Sequence, residues 1–170
     1  MRISGIASKD ERGSFERLWC ERTAAAADLS PNFAQWSLST NLRYATVRGF
    51  HFQTAPHSES KLVRCVQGRL FDVAVDLRED QPTYGNWVSA TLSDDNHEAL
   101  YIPPGVAHGY MTMSEPCVIL YGITPAYEAS AAAGVRWDDP DINIDWPDTP
   151  SVISERDLAL PYLRALNGQK

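Results

Sequence analysis

Between Thr46 and Ile123 the chain runs as short apolar stretches separated by turn residues, and this rhythm limits the fold more than any other feature. In "KLVRCVQGRLFDVAVDLRED" two such stretches flank Gly68 before the segment ends in charge. Leu70, Asp72, Ala74 and Asp76 share one face of the second stretch, and Phe71, Val73, Val75 and Leu77 the other, as the period of two in a strand requires. "QPTYGNW" reads as a Pro/Gly turn, "VSATLS" as a further strand and "DDNHEA" as a polar loop. A Pro-Pro-Gly turn divides "LYIPPGVAHGYMTM", and "PCVILYGITPAY" supplies another strand. Strands this short, with a turn roughly every ten residues, predict an all-β sandwich or barrel.

Helix is confined to the flanks. Four consecutive alanines in "ERTAAAADLS" favour a helix that Pro31 would stop, and Ser154 can cap another in "SERDLALPYLRAL". A chain of 170 residues can bury about 70% of its unfolded surface in one domain, without help from a metal or disulfide. Cys20, Cys65 and Cys117 form no CxxC or CxxH pair, so they read as reduced thiols. The net charge of −7 argues against a nucleic-acid partner, although a small anionic ligand needs only a locally positive pocket. No stretch has the length and apolarity of a membrane span or a signal peptide, which leads us to expect a cytoplasmic protein without a membrane partner.

The strand "TVRGFHFQ" contains two residues that a buried strand does not need, Arg48 and His51. They differ in parity, so a regular strand would point them to opposite faces. A bulge at Gly49 would bring both to one pocket. Of the other histidines, His108 also lies in an apolar strand, while His57 and His97 occupy polar stretches and read as surface residues. A metal-binding cupin would need an H-x-H pair followed closely by a carboxylate. Here "HFQ" has glutamine at the second position, and the next acidic residue, Glu59, falls in a loop-like stretch. Taken singly, Lys61 reads as a solvated strand-edge charge, Tyr121 as a core residue with a bonded hydroxyl, and Asp157 as an acidic residue in a helix first turn.

As a set, "RGFHFQ", "KLVR", "FDVAVDLR", "AHGY", "LYGITPAY" and "GVRWDDP", in this order, resemble the dTDP-4-dehydrorhamnose 3,5-epimerase family over residues 10 to 157 or so. The resemblance implies a cupin-type jelly roll (double-stranded β-helix) with a few short peripheral helices, spanning residues 1–170 as one domain. It further implies no metal and no cofactor. It assigns His51 as the base beside the sugar C4 ketone, Asp157 as its carboxylate partner, Tyr121 as the proton donor on the opposite face and Lys61 as the enolate-stabilising cation. Arg48, His108, Tyr127, Arg12, Phe15, Gln35 and Gln53 are the substrate-binding residues it implies. A homodimer is implied too, with N-terminal strands (about residues 1–45) reaching over the neighbour and a helical segment near 154–167 closing the chain.

The chemistry is consistent with this inventory. Inverting a carbon beside a ketone needs a base on one face and an acid on the other. The enolate between them needs a positive neighbour, and a diphosphate suits an arginine. The expected activity is inversion of the carbon or carbons alpha to the C4 ketone of a dTDP-linked 4-keto-6-deoxy sugar in deoxysugar biosynthesis. The alternatives are a 3-only or 5-only epimerase on another nucleotide sugar, a ketoisomerase of the same fold, and, behind these, a non-catalytic sugar-nucleotide binding protein. The chain departs from the family pattern at Arg17, Trp36, Ser37 and Gly122. The first three lie in segments that help hold the nucleotide base in the family. A glycine at 122 is expected to widen the pocket beside Tyr121.

Overall fold

Turn residues divide the chain into strands where the sequence predicts. The structure, a computed structural model, describes residues 1–29 and 32–167. Strands β1 (Arg2–Ser4), β2 (Ala7–Asp10) and β3 (Gly13–Glu16) come first, followed by helix α1 (Glu21–Ala25). The body comprises β4 (Gln35–Asn41), β5 (Val47–Gln53), β6 (Ser60–Gln67), β7 (Arg69–Asp76), β8 (Trp87–Ser93), β9 (Glu98–Ile102), β10 (Val106–Thr112) and β11 (Cys117–Thr124). Strand β12 (Ala132–Gly134) and helices α2 (Glu155–Leu158) and α3 (Leu163–Asn167) end it. Helix α1 is shorter than its alanines predict, because Asp28 takes a positive φ of 54° within the turn that follows. Pro31, its expected stop, lies outside the described residues.

Two five-stranded antiparallel sheets face each other, one ordered β1-β9-β6-β11-β4 and the other β12-β5-β10-β7-β8. From β4 to β7 each strand crosses to the opposite sheet, β7 and β8 form a hairpin, and the crossing resumes through β9, β10 and β11. That alternation is the jelly-roll connection. The period of two in β7 holds: Leu70 and Ala74 enter the cluster between the sheets, with Val63, Leu92, Ile102 and Ile119, whereas Val73 and Val75 join Phe50, Ala107, Val135 and Ile142 outside. The outer cluster lies under the C-terminal segment, which is thereby held against β5 and β10. Cys65 and Cys117 are buried and Cys20 partly so, all as free thiols. Among the described residues no helix is long and apolar enough to cross a membrane.

Apolar side chains fill only part of the barrel. Along β6 the inward series passes from Val63 and Cys65 to Lys61, and along β11 from Ile119 to Tyr121. The interior therefore changes from core to polar cavity within two residues of each strand.

Candidate active site

The distortion expected at Gly49 is present. β10 pairs with β5 through His108↔His51 and then Tyr110↔Arg48, so three steps on β5 answer two on β10. Gly49 has φ of +127°, and a Cβ there would stand 2.5 Å from the Gly109 Cα. Only glycine permits this approach. The extra residue turns Arg48 and His51 into one cavity of about 220 Å³, which they line with Ser37, Ser39, Lys61, His108, Tyr110 and Tyr121.

His51 Nε2 lies 2.8 Å from Asp157 Oδ1. Asp157 is placed by helix α2, where Ser154 acts as the predicted cap and accepts the Asp157 N–H at 3.1 Å. The second carboxylate oxygen accepts the Gly49 N–H at 3.2 Å, so the bulge and the helix converge on one carboxylate. Burial alone would raise the Asp157 carboxyl, but the hydrogen bond and charge of His51 and the Gly49 N–H outweigh it and hold the group below its ordinary value. An ionised partner at Nε2 draws the imidazole proton to that nitrogen and leaves the Nδ1 lone pair free.

Tyr121 stands on β11, in the sheet facing β5, with its ring edge-on to His108 at an interplanar angle of 70° and centroids 5.8 Å apart. Burial, followed by the neighbouring Tyr110 and Asp72, pushes its hydroxyl well above the ordinary value of 10. It stays protonated at neutral pH. Lys61 is not a solvated edge charge: at 7% exposure it donates to the His51 carbonyl at 3.1 Å and pairs with buried Glu59 at 2.7 Å. Two of the three ammonium hydrogens are thus engaged, and the third is free for a ligand oxygen in the cavity. Arg48 donates through Nε to Asn41 at 3.0 Å, leaving its terminal nitrogens to an anion.

The remaining predicted residues lie apart from this cavity. Gln53 is buried and engaged with backbone on both sides, donating to His57 O at 3.2 Å and accepting from Glu128 N at 2.7 Å. Gln35 accepts the Tyr127 N–H at 2.8 Å, and the Tyr127 ring is exposed beside it. Arg12 and Phe15 line a separate open recess on the β2–β3 hairpin, where Arg12 pairs with Asp10.

Two expectations are corrected. Gly122 does not widen the pocket, because it faces the other side of β11 from Tyr121, and a Cβ there would meet Phe33 at 2.8 Å and Trp36 at 3.0 Å. The glycine makes room for an aromatic cluster outside the barrel. His97 is no free surface residue either: with Arg64 it holds Glu16, at 2.9 and 2.6 Å, and so ties the end of β3 to the barrel.

Sequence reasoning passed over Asp72, whose Oδ1 binds His108 Nε2 at 2.6 Å, and the neighbours Glu59, Asn41, Ser39 and Tyr110. A signal for Asp72 was present in the alternation of β7, which sets two aspartates on the inward face of an apolar strand.

Fold and site together define a cupin-type enzyme whose cavity meets, on one sheet, an imidazole paired with a carboxylate from α2 and, on the facing sheet, a phenol. The chain belongs to the dTDP-4-dehydrorhamnose 3,5-epimerase family, whose model matches residues 2–165, and it is an isomerase. It is 45% identical over 155 residues to the dTDP-4-dehydrorhamnose 3,5-epimerase of Sinorhizobium fredii, covering 91% of this chain and 80% of that one. Identity to the dTDP-4-dehydrorhamnose 3-epimerase of Streptomyces niveus is 38% over 149 residues, covering 87% and 72%. The crystal structure of dTDP-6-deoxy-D-glucose-3,5-epimerase from Legionella pneumophila Philadelphia 1, in complex with dTDP-4-keto-L-rhamnose, superposes with a TM-score of 0.92 at 31% identity, covering 99% of this chain and 89% of that one.

Proposed function

We propose that this protein inverts the carbon or carbons alpha to the C4 ketone of a dTDP-linked 4-keto-6-deoxy sugar, by proton removal at one face and return at the other. One observation carries the reading: His51 and Tyr121 stand on facing sheets and line the same cavity. His51 Nδ1 takes the proton from carbon, and Asp157 stabilises the imidazolium that results. The negative charge moves to the C4 oxygen, where the free Lys61 hydrogen receives it; one such donor contributes on the order of 3 kcal/mol. With that charge supplied by an ammonium, the enolate needs no metal. Tyr121 then protonates the carbon from the opposite side, a step that typically contributes ~10²–10⁴ in rate. Arg48 and His108 border the sugar and diphosphate.

Partner and location follow as part of the same proposal: a cytoplasmic homodimer. The β2–β3 hairpin with Arg12 and Phe15 lies outside its own chain's cavity, and Ile6 and Phe15 are 89% and 78% exposed, an apolar surface suited to a second subunit. There Arg12, Phe15, Gln35 and Tyr127 would meet the nucleotide of the neighbouring site.

The test is incubation with dTDP-4-keto-6-deoxyglucose in deuterated water, followed by NMR. Deuterium at C3, C5 or both identifies the inverted centres and separates a 3-epimerase from a 3,5-epimerase. Absence of label at both carbons, with this and every other nucleotide tried, removes the epimerase reading.

A further inference from the structure

We propose that Glu16, held between Arg64 and His97, is a positioning residue for the reaction: it aims the β2–β3 hairpin at the active site of a second copy of this chain. The inference rests on the reading that Arg12 and Phe15 serve the neighbouring site, and adds what sets their direction.

Strands β2 and β3 pair with each other and form a small sheet outside the two main ones. The tip of this hairpin organises itself, since Arg12 binds both carboxylate oxygens of Asp10. At the base, both ends meet at one residue, His97. The chain enters the hairpin at Gly5, whose N–H donates to the His97 carbonyl at 2.8 Å. It leaves at Glu16, whose Oε2 lies 2.9 Å from His97 Nδ1 and accepts from Arg64 Nη2 at 2.6 Å. Arg64 Nη1 donates in turn to the His97 carbonyl at 3.3 Å, which closes the joint. A Cβ on Gly5 would collide with Glu16 Oε1, so the carboxylate sits against the backbone of the entering strand.

The seat of the joint is firm. His97 takes a positive φ of 56° just before β9, and the Asn96 side chain ties that turn to Thr91, Ser93 and Glu98. Arg64 is buried on the face of β6 opposite to Lys61, so one strand holds both the ammonium of its own cavity and the joint of the hairpin. An apolar contact here would have no direction, whereas charge-assisted hydrogen bonds from a planar guanidinium fix an angle. Direction matters because the hairpin is a lever. The four residues of β3, at roughly 3.3 Å each, put the tip about 13 Å from the joint. A tilt of about 10° then carries Arg12 about 2 Å off course, enough to lose a contact that must be placed within an ångström.

The experiment measures kcat and KM for dTDP-4-keto-6-deoxyglucose by deuterium uptake, first in Glu16→Gln. We expect KM to rise about tenfold and kcat to stay within about twofold of the parent, because the side chain touches no reacting atom. His97→Ala, which leaves the Arg64–Glu16 pair in place, should raise KM by a smaller factor. Mixed dimers then separate aiming from mere stability. Co-expressed with a His51→Ala chain, the Glu16→Gln chain holds the intact base, and the hairpin that reaches that base carries an intact Glu16. Random pairing makes about half of the dimers mixed, so about a quarter of the parental sites should return at the parental KM. A KM that stays raised throughout the mixture places the effect within one chain and overturns the proposal. So does an unchanged KM in Glu16→Gln, or a fall in kcat alone. The underlying reading fails separately, if Arg12→Ala and Phe15→Ala both keep the parental KM or the protein sediments as a monomer.

Discussion

His51 and His108 are direct partners across β5 and β10, and each binds an aspartate oxygen through Nε2, at 2.8 and 2.6 Å. The two pairs share their chemistry and differ in setting. The His51 side chain is 37% exposed and that of His108 only 6%. Asp157 satisfies its second oxygen with the Gly49 N–H, while Asp72, completely buried, leaves its second oxygen without a protein partner. The difference teaches that a histidine–carboxylate pair does not by itself make a base. On the proposed reading His51 can reach a ligand, and its carboxylate is held ionised by the His51 and Gly49 hydrogen bonds against the burial that opposes it. His108 shows only a small part of its ring to the cavity, and the charge of Asp72 acts mainly on what lies beside it.

The sharpest way to break this comparison is to delete each imidazole. His51→Ala should lower deuterium exchange at every carbon by about 10³–10⁴, the upper part of the range for an acid–base group, with the fold intact by circular dichroism. His108→Ala should act chiefly on stability, losing about 3 kcal/mol or more in urea unfolding, because it leaves a buried carboxylate unpaired. Equal loss of exchange in both variants would erase the distinction. Next in size is Asp157→Asn, where one oxygen must serve both His51 and the Gly49 N–H and the amide opposes one of these donors. Loss of a charged hydrogen bond near 3 kcal/mol predicts about 10² in kcat, measured at constant pH.

How much of this was readable beforehand depended on the range of the interaction. The strands and turns rest on neighbouring residues, and the clash of parity between Arg48 and His51 pointed to the Gly49 bulge before any register was known. The Ser154 cap was equally local. Contacts between distant strands were not readable: Asp72 meets His108 across 36 positions, and Glu16 meets His97 across 81. Lys61 seemed an edge charge because nothing in "ESK" reveals that Glu59 and Lys61 are buried together as a pair. Gln53 follows the base by two residues and reads as a ligand group, yet its amide is consumed in holding two loops. Gly122 misled for a related reason, since the rings that fill its space come from Phe33 and Trp36 on another segment.

The smallest effect tests what the second pair is for. Asp72 is one of the charges that raise the Tyr121 hydroxyl, after burial and Tyr110. A negative neighbour disfavours the phenolate and so raises the value at which it forms; removing that neighbour must lower it. Asp72→Asn should accordingly shift the alkaline limb of inversion, where Tyr121 loses its proton, to lower pH. Burial persists in the variant, so the shift is partial and the limb stays above neutrality. At neutral pH the cost should be roughly tenfold, the size of one charged hydrogen bond of about 1.5 kcal/mol now made by a neutral amide to His108. Phenolate absorbance in a pH titration reads the same group without substrate. A limb that stays in place, or moves up, would mean that Asp72 serves His108 alone and that Tyr121 owes its protonation to burial.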